Sequence, residues 1–145
     1  MTRIDFYVLA GIDPLARLHL VCKLAEKAVG ARQKVFIYSD SEQQLEQLDK
    51  SLWDFRAMSF IAHQRLSADH VASSSDNEPV HLSTGQPGND RNLLINLGTE
   101  VPSFFSRFER TLEVVNEQTE VQSAGRLRYR FYQQRGYPLH HHKIP

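Results

Sequence analysis

The chain has 145 residues, of which 41% are hydrophobic and 23% charged; that is the size and make-up of one globular domain able to bury a core without disulfides or metal. Seventeen basic residues balance seventeen acidic ones, which excludes a molecule-wide electrostatic pull on nucleic acid. Cys22 is the only cysteine, which excludes an intrachain disulfide and a cysteine-rich zinc site. With no basic leader ahead of an apolar core and no run of about 18 apolar residues, the chain is expected to be cytoplasmic and without membrane contact.

Residues 3–9 read as the first strand, with Ile4, Phe6 and Val8 on one face and Tyr7 and Leu9 on the other, as in a sheet covered on both sides. Asp13-Pro14 then opens a helix in which Leu18, Val21, Cys22, Ala25 and Val29 recur at helical spacing up to a stop at Gly30. Residues 34–38 form a β-branched and aromatic run. Ser41 and Gln44 make a capping-box pattern ahead of Leu45, Leu48 and Leu52. Weaker strands are expected at 57–63 and 79–82, a loop between them, and a convincing buried strand at 92–97 after the turn Gly85-Gln86-Pro87-Gly88. A short helix at 102–108, a strand at 111–115 and a last helix at 116–134 complete the pattern. The alternation predicts one α/β domain of three layers over residues 1–138, with a mostly parallel sheet of about five strands, followed by a short tail at 139–145.

A parallel α/β sheet invites nucleotide binding, but the first strand–helix turn carries only Gly11 and neither G-x-G-x-x-G nor G-x-x-x-x-G-K-[ST]. His140-His141-His142 lacks carboxylate or cysteine companions, so a solvated tail is the better reading than a metal site. Cys22 falls on an apolar stripe, Ser103 and Ser106 lack a nucleophile-elbow setting, and Glu42 with Glu46 reads as a helix surface. No assembled active site and no cofactor is expected. A nucleotide-dependent or nucleic-acid-processing enzyme on the same scaffold is the alternative.

After Glu120 no acidic residue remains, whereas Arg126, Arg128, Arg130, Arg135 and Lys143 all follow, so the end of the chain is cationic. On the last helix Ala124, Leu127 and Phe131 form one stripe, expected to pack on the sheet. Gln122, Arg126, Tyr129 and Gln133 line the opposite one, flanked by Arg130. A guanidinium beside a phenol suits an acidic peptide with an aromatic residue; a solvated face, or phosphate contacts to nucleic acid, would use the same charges. Trp53, the only tryptophan, stands at the end of a helix and reads either as a core lid or as an interface anchor.

These residues together resemble the chi subunit family of bacterial DNA polymerase III. The resemblance runs through the opening strand Ile4 to Leu9, Leu52-Trp53 followed by Ser59 to His63, the strand Asn92 to Leu97, Arg126-Leu127-Arg128-Tyr129-Arg130-Phe131-Tyr132 and Gly136-Tyr137-Pro138-Leu139. It implies a fold like nucleotide-binding domains without their phosphate loop, and a non-catalytic adaptor with two partners. One is the psi subunit of the clamp-loader complex, met by Trp53 and Phe60. The other is the acidic C-terminal tail of single-stranded DNA-binding protein, met by Arg126 and Tyr129. Gln122 stands where the family can carry a lysine, and Arg130 is the candidate to restore that charge. Contact with DNA is expected to be mainly indirect, and a helicase-like protein is a possible second user of the psi surface.

Overall fold

The computed structural model describes residues 1–54, 61–71, 73 and 75–145. In chain order these form β1 (Arg3–Leu9), α1 (Pro14–Gly30), β2 (Val35–Tyr38), α2 (Glu42–Asp54), β3 (His63–Arg65), β4 (Val80–Ser83), β5 (Leu93–Asn96), a 3-10 turn at Phe105–Arg107, β6 (Arg110–Val115), α3 (Thr119–Gln134) and β7 (Leu139–Ile144). All strand pairs among them are parallel, in the order β3-β4-β2-β5-β6-β1-β7.

The layering follows from connection handedness. The β1-to-β2 crossover runs toward one edge of the sheet and the β6-to-β7 crossover toward the other. A right-handed link therefore sends α1 to one face and α3 to the opposite one. Two cores result. Leu18, Val21, Cys22 and Ala25 of α1 and Leu45, Leu48 and Leu52 of α2 bury Leu9, Val35, Ile37, Ile95, Leu112 and Val114. On the other face Ile4, Phe6, Phe36 and Leu94 pack with Phe104, Phe105, Phe108 and Tyr132. Cys22 is wholly buried, and burial pushes its thiol up to about 12.

The expected three-layer α/β architecture is present, with seven strands where about five were expected. One extra strand comes from the C-terminal segment. His140, His141 and His142 are not a solvated tail; they lie in β7, which runs parallel to β1 along the sheet edge. The physical reason lies in Asp5, buried on β1, whose carboxylate receives Arg110 Nε at 2.7 Å, His142 Nε2 at 2.8 Å and Arg3 Nε at 3.1 Å. The His142 ring also stacks on Tyr7, with centroids 4.5 Å apart. A buried carboxylate requires such partners, and one of them comes from β7. Of the strand expected at 57–63, residues 57–60 lie outside the described ones, 61–62 are not in a strand and only His63 falls in β3 (His63–Arg65). The helix expected at 102–108 is a single 3-10 turn.

The last helix is turned relative to expectation. Its buried residues are Gly125, Arg128 and Tyr132, whereas Leu127 is 65% exposed. Glu113, fully buried on β6, sets this rotation. Its carboxylate accepts from Arg128 Nε at 2.9 Å, from the Tyr132 hydroxyl at 2.6 Å and from Asn96 Nδ2 at 3.0 Å. Arg128 also donates through Nη1 to the Thr99 carbonyl at 2.9 Å. An unpaired buried charge costs far more than one exposed leucine, so the helix turns its polar anchors inward. Phe131 remains half-buried, edge-on to Phe105 at 6.0 Å.

Two stability predictions follow from these buried groups. Glu113→Gln leaves the Arg128 charge without its carboxylate and is expected to lower unfolding free energy by about 3–5 kcal/mol in urea titrations; a loss below about 1 kcal/mol would contradict the role given to this pair. His81, buried on β4, accepts at Nε2 from Arg91 Nη2 at 2.8 Å, and burial together with that guanidinium pulls it from the ordinary 6.5 down to about 4. The unfolded chain therefore takes up a proton at His81 before the folded one does, so stability falls as pH drops from about 6.5 to about 4, by up to about 3 kcal/mol. His81→Gln should flatten that part of a stability–pH curve. Asp5, Asp76 and Asp90, all held below the ordinary 3.8, lose their contributions only at lower pH.

Candidate peptide-binding groove

Between β1, the end of β6 and α3 lies a groove of about 360 Å³ lined by Phe6, Val8, Val115, Asn116, Gln122, Gly125, Arg126, Tyr129 and His141. Three of the four side chains expected to act together, Gln122, Arg126 and Tyr129, meet here. The fourth, Arg130, is exposed and lies outside this lining.

Each element supplies its part for a local reason. Phe6 and Val8 share the α3 face of β1 because strand residues alternate. Tyr129 follows Arg128 by one position, so once Arg128 points inward Tyr129 is carried to the helix flank, where it is half-buried and edge-on to Phe6 at 5.2 Å. Gly125 permits close approach of α3 to β6: a Cβ there would stand 3.0 Å from Val115 Cγ1. Arg126 is exposed at the rim and has no ion pair among the described residues. The groove thus offers an apolar, aromatic wall and a guanidinium at its mouth, a combination suited to an aromatic side chain that carries a carboxylate nearby.

His141, expected in a solvated tail, joins the groove from β7. The register pairs it with Phe6, and alternation turns it to the groove side. The contribution of Phe6, Val8 and Val115 was likewise hidden. Alternation along β1 puts Phe6 and Val8 on one face and the register sets Val115 of β6 beside Val8, but only the rotation of α3 leaves that face partly uncovered.

The second expected surface lies beyond the opposite helical layer. Trp53, in the last turn of α2, is 55% exposed, and its ring is edge-on to His63 at 5.1 Å. His63 is fixed in turn, Nδ1 facing the Ile61 carbonyl at 2.7 Å and Nε2 facing the Asp49 carboxylate. Trp53 is therefore a held aromatic at the surface and not a core lid. Phe60 lies outside the described residues.

The crevice at the C-terminal ends of the strands, where doubly wound folds hold ligands, is lined by Arg17, Asp40, Gly98, Thr99, Glu120 and Arg128 among others. At the start of α1 the Asp13 carboxylate accepts from the Leu15 amide at 3.0 Å and Pro14 has no amide to offer, so the place where a phosphate would sit is already served by the chain's own carboxylate. Burial and the neighbouring Arg128 guanidinium pull Arg17 down to about 10, and Arg17 Nε is committed to the Val114 carbonyl at 2.9 Å. No helix among the described residues is long and apolar enough to cross a membrane.

The model of the family described as DNA polymerase III chi subunit, HolC, matches residues 1–140. The chain belongs to the DNA polymerase III chi subunit family. The DNA polymerase III subunit chi of Pseudomonas aeruginosa is 44% identical, over 100% of this chain and 99% of that protein. The proteins of the same name from Haemophilus influenzae and Escherichia coli K12 are 29% and 28% identical over 93% and 96% of this chain. Membership makes this chain a chi subunit, an accessory and not a catalytic part of that polymerase, with a role in DNA replication. Among solved structures, the C-terminal part of the Fun30 ATPase domain is similar at a TM-score of 0.54 and 15% identity, over 77% of this chain and 44% of that one, a likeness of fold alone.

Proposed function

We propose that this chi subunit is a cytoplasmic adaptor that joins the clamp-loader complex, through psi, to the acidic C-terminal tail of single-stranded DNA-binding protein. The observation that carries the reading is the groove in which Arg126 and Tyr129 meet the apolar wall of Phe6, Val8 and Val115. A tail ending in an aromatic residue with a free carboxylate presents a ring for that wall and an anion for Arg126. The exposed Trp53 supports a second attachment at the end of α2, since surface aromatics held in place are favoured anchors.

Two modest contacts are sufficient for such an adaptor. With psi on one surface and the tail on another, many tails along coated single-stranded DNA raise the effective concentration of the clamp loader near the lagging strand. Contact with DNA is then indirect, and chemistry is not required of this chain.

Calorimetric titration with an acidic peptide ending in Pro-Phe is expected to give saturable binding that weakens as salt is raised, because the charges involved are exposed. Arg126→Ala should weaken it by at least about thirtyfold, the loss of a guanidinium anchor, and leave psi binding intact. Trp53→Ala should weaken psi binding and leave the peptide unaffected. Equal loss of both partners in either variant, with the fold intact, would contradict two separate surfaces.

A further inference from the structure

The groove does not end at Arg126. A second depression, of about 400 Å³, adjoins it and is lined by Val8, Leu9, Ala10, Glu117, Gln122, Lys143, Ile144 and Pro145. The two share Val8 and Gln122, so Gln122 lies between Arg126 on one side and Lys143 on the other.

The pairing of β7 with β1 sets this arrangement. Leu139, His141 and Lys143 alternate onto one side of β7. Leu139 packs in the aromatic core under α3, His141 lines the groove, and Lys143, paired with Val8, lines the adjoining depression. His142 faces the other way, to Asp5. Among the described residues Lys143 has no ion pair, and Glu117, the acidic residue of its depression, accepts from the Gly11 amide. The strand edge thus presents an uncommitted cation one step beyond the position that carries Gln122.

We propose that Lys143 is a second cationic determinant of the groove, receiving a carboxylate that lies upstream of the terminal aromatic residue of an acidic peptide. It adds from β7 a cation on the side of Gln122 away from Arg126. This inference rests on the acidic-tail reading of the groove and names the part of the peptide it recognises. Arg130 of α3 lies outside both linings. The long, flexible stem lets the charge follow a mobile acidic segment.

The test is calorimetry at low salt with the wild type, Lys143→Ala, Lys143→Arg and Arg126→Ala, each titrated with two peptides. One carries aspartates upstream of a terminal Pro-Phe, and the other carries asparagines in their place. Lys143→Ala is expected to weaken the aspartate peptide roughly three- to fivefold, the size of an exposed ion pair, and to leave the asparagine peptide unchanged. Lys143→Arg should restore the wild-type affinity, and Arg126→Ala should weaken both peptides. If Lys143→Ala binds the aspartate peptide as the wild type does while Arg126→Ala does not, the tail reading stands and the role of Lys143 is overturned. Equal weakening of both peptides by Lys143→Ala also overturns it, and a wild type that binds neither overturns both readings together.

Discussion

The contact between Glu113 and the pair Arg128 and Tyr132 fixes how α3 sits on the sheet. A carboxylate fully buried in the middle of a parallel sheet is tolerated only if charged and hydrogen-bonding partners reach it. Here Asn96 reaches it from the neighbouring strand, and Arg128 and Tyr132 descend from α3. Burial, with the Glu113 charge beside it, pushes the Tyr132 phenol up and keeps it a donor. The helix is fixed in rotation as well as in place. That rotation leaves Leu127 in water, brings Tyr129 against Phe6 and sets Arg126 at the mouth of the groove.

A second buried carboxylate organises the sheet edge in the same way. Asp5 gathers Arg3, Arg110 and His142, and so ties β7 to β1 and β6. The consequence reaches the site, because the face of β7 opposite His142 carries His141 and Lys143 to the groove side. Under the proposed function the tail groove lies on the α3 side of the sheet, while Trp53 belongs to the α2 layer on the other side. Two partners engaged at those places would not compete for the same surface, which is the geometric requirement for a linker.

Much of this was legible in the sequence, and the failures share one cause. Hydrophobic periodicity placed β1, α1, β2, α2, β5 and β6 to within a few residues, and alternating strands and helices gave the layered α/β class. Periodicity misjudged α3 because it counts apolar residues, and the inward face of that helix is set by an arginine and a tyrosine seeking Glu113. It missed β7 because Leu139-His140-His141-His142-Lys143-Ile144 has little apolar content; the strand is held by backbone pairing and by Asp5, a partner 137 positions away from His142. Gln122, Arg126 and Tyr129, expected on one helical stripe, line one groove together. The groove's apolar wall and β7 rim depended on how α3 and the sheet edge dock, which short-range pattern does not encode.

Under the proposed function an acidic, aromatic-ended peptide seats between α3 and β1. The most direct measurement is a nuclear magnetic resonance map of amide and side-chain shifts as such a peptide is added to the isotope-labelled protein. The perturbations are expected to concentrate at Val8, Val115, Gln122, Gly125, Arg126, Tyr129 and His141. Perturbations centred instead on Trp53 and His63, or on the crevice of Arg17, Asp40 and Thr99, with the α3 groove unmoved, would contradict it.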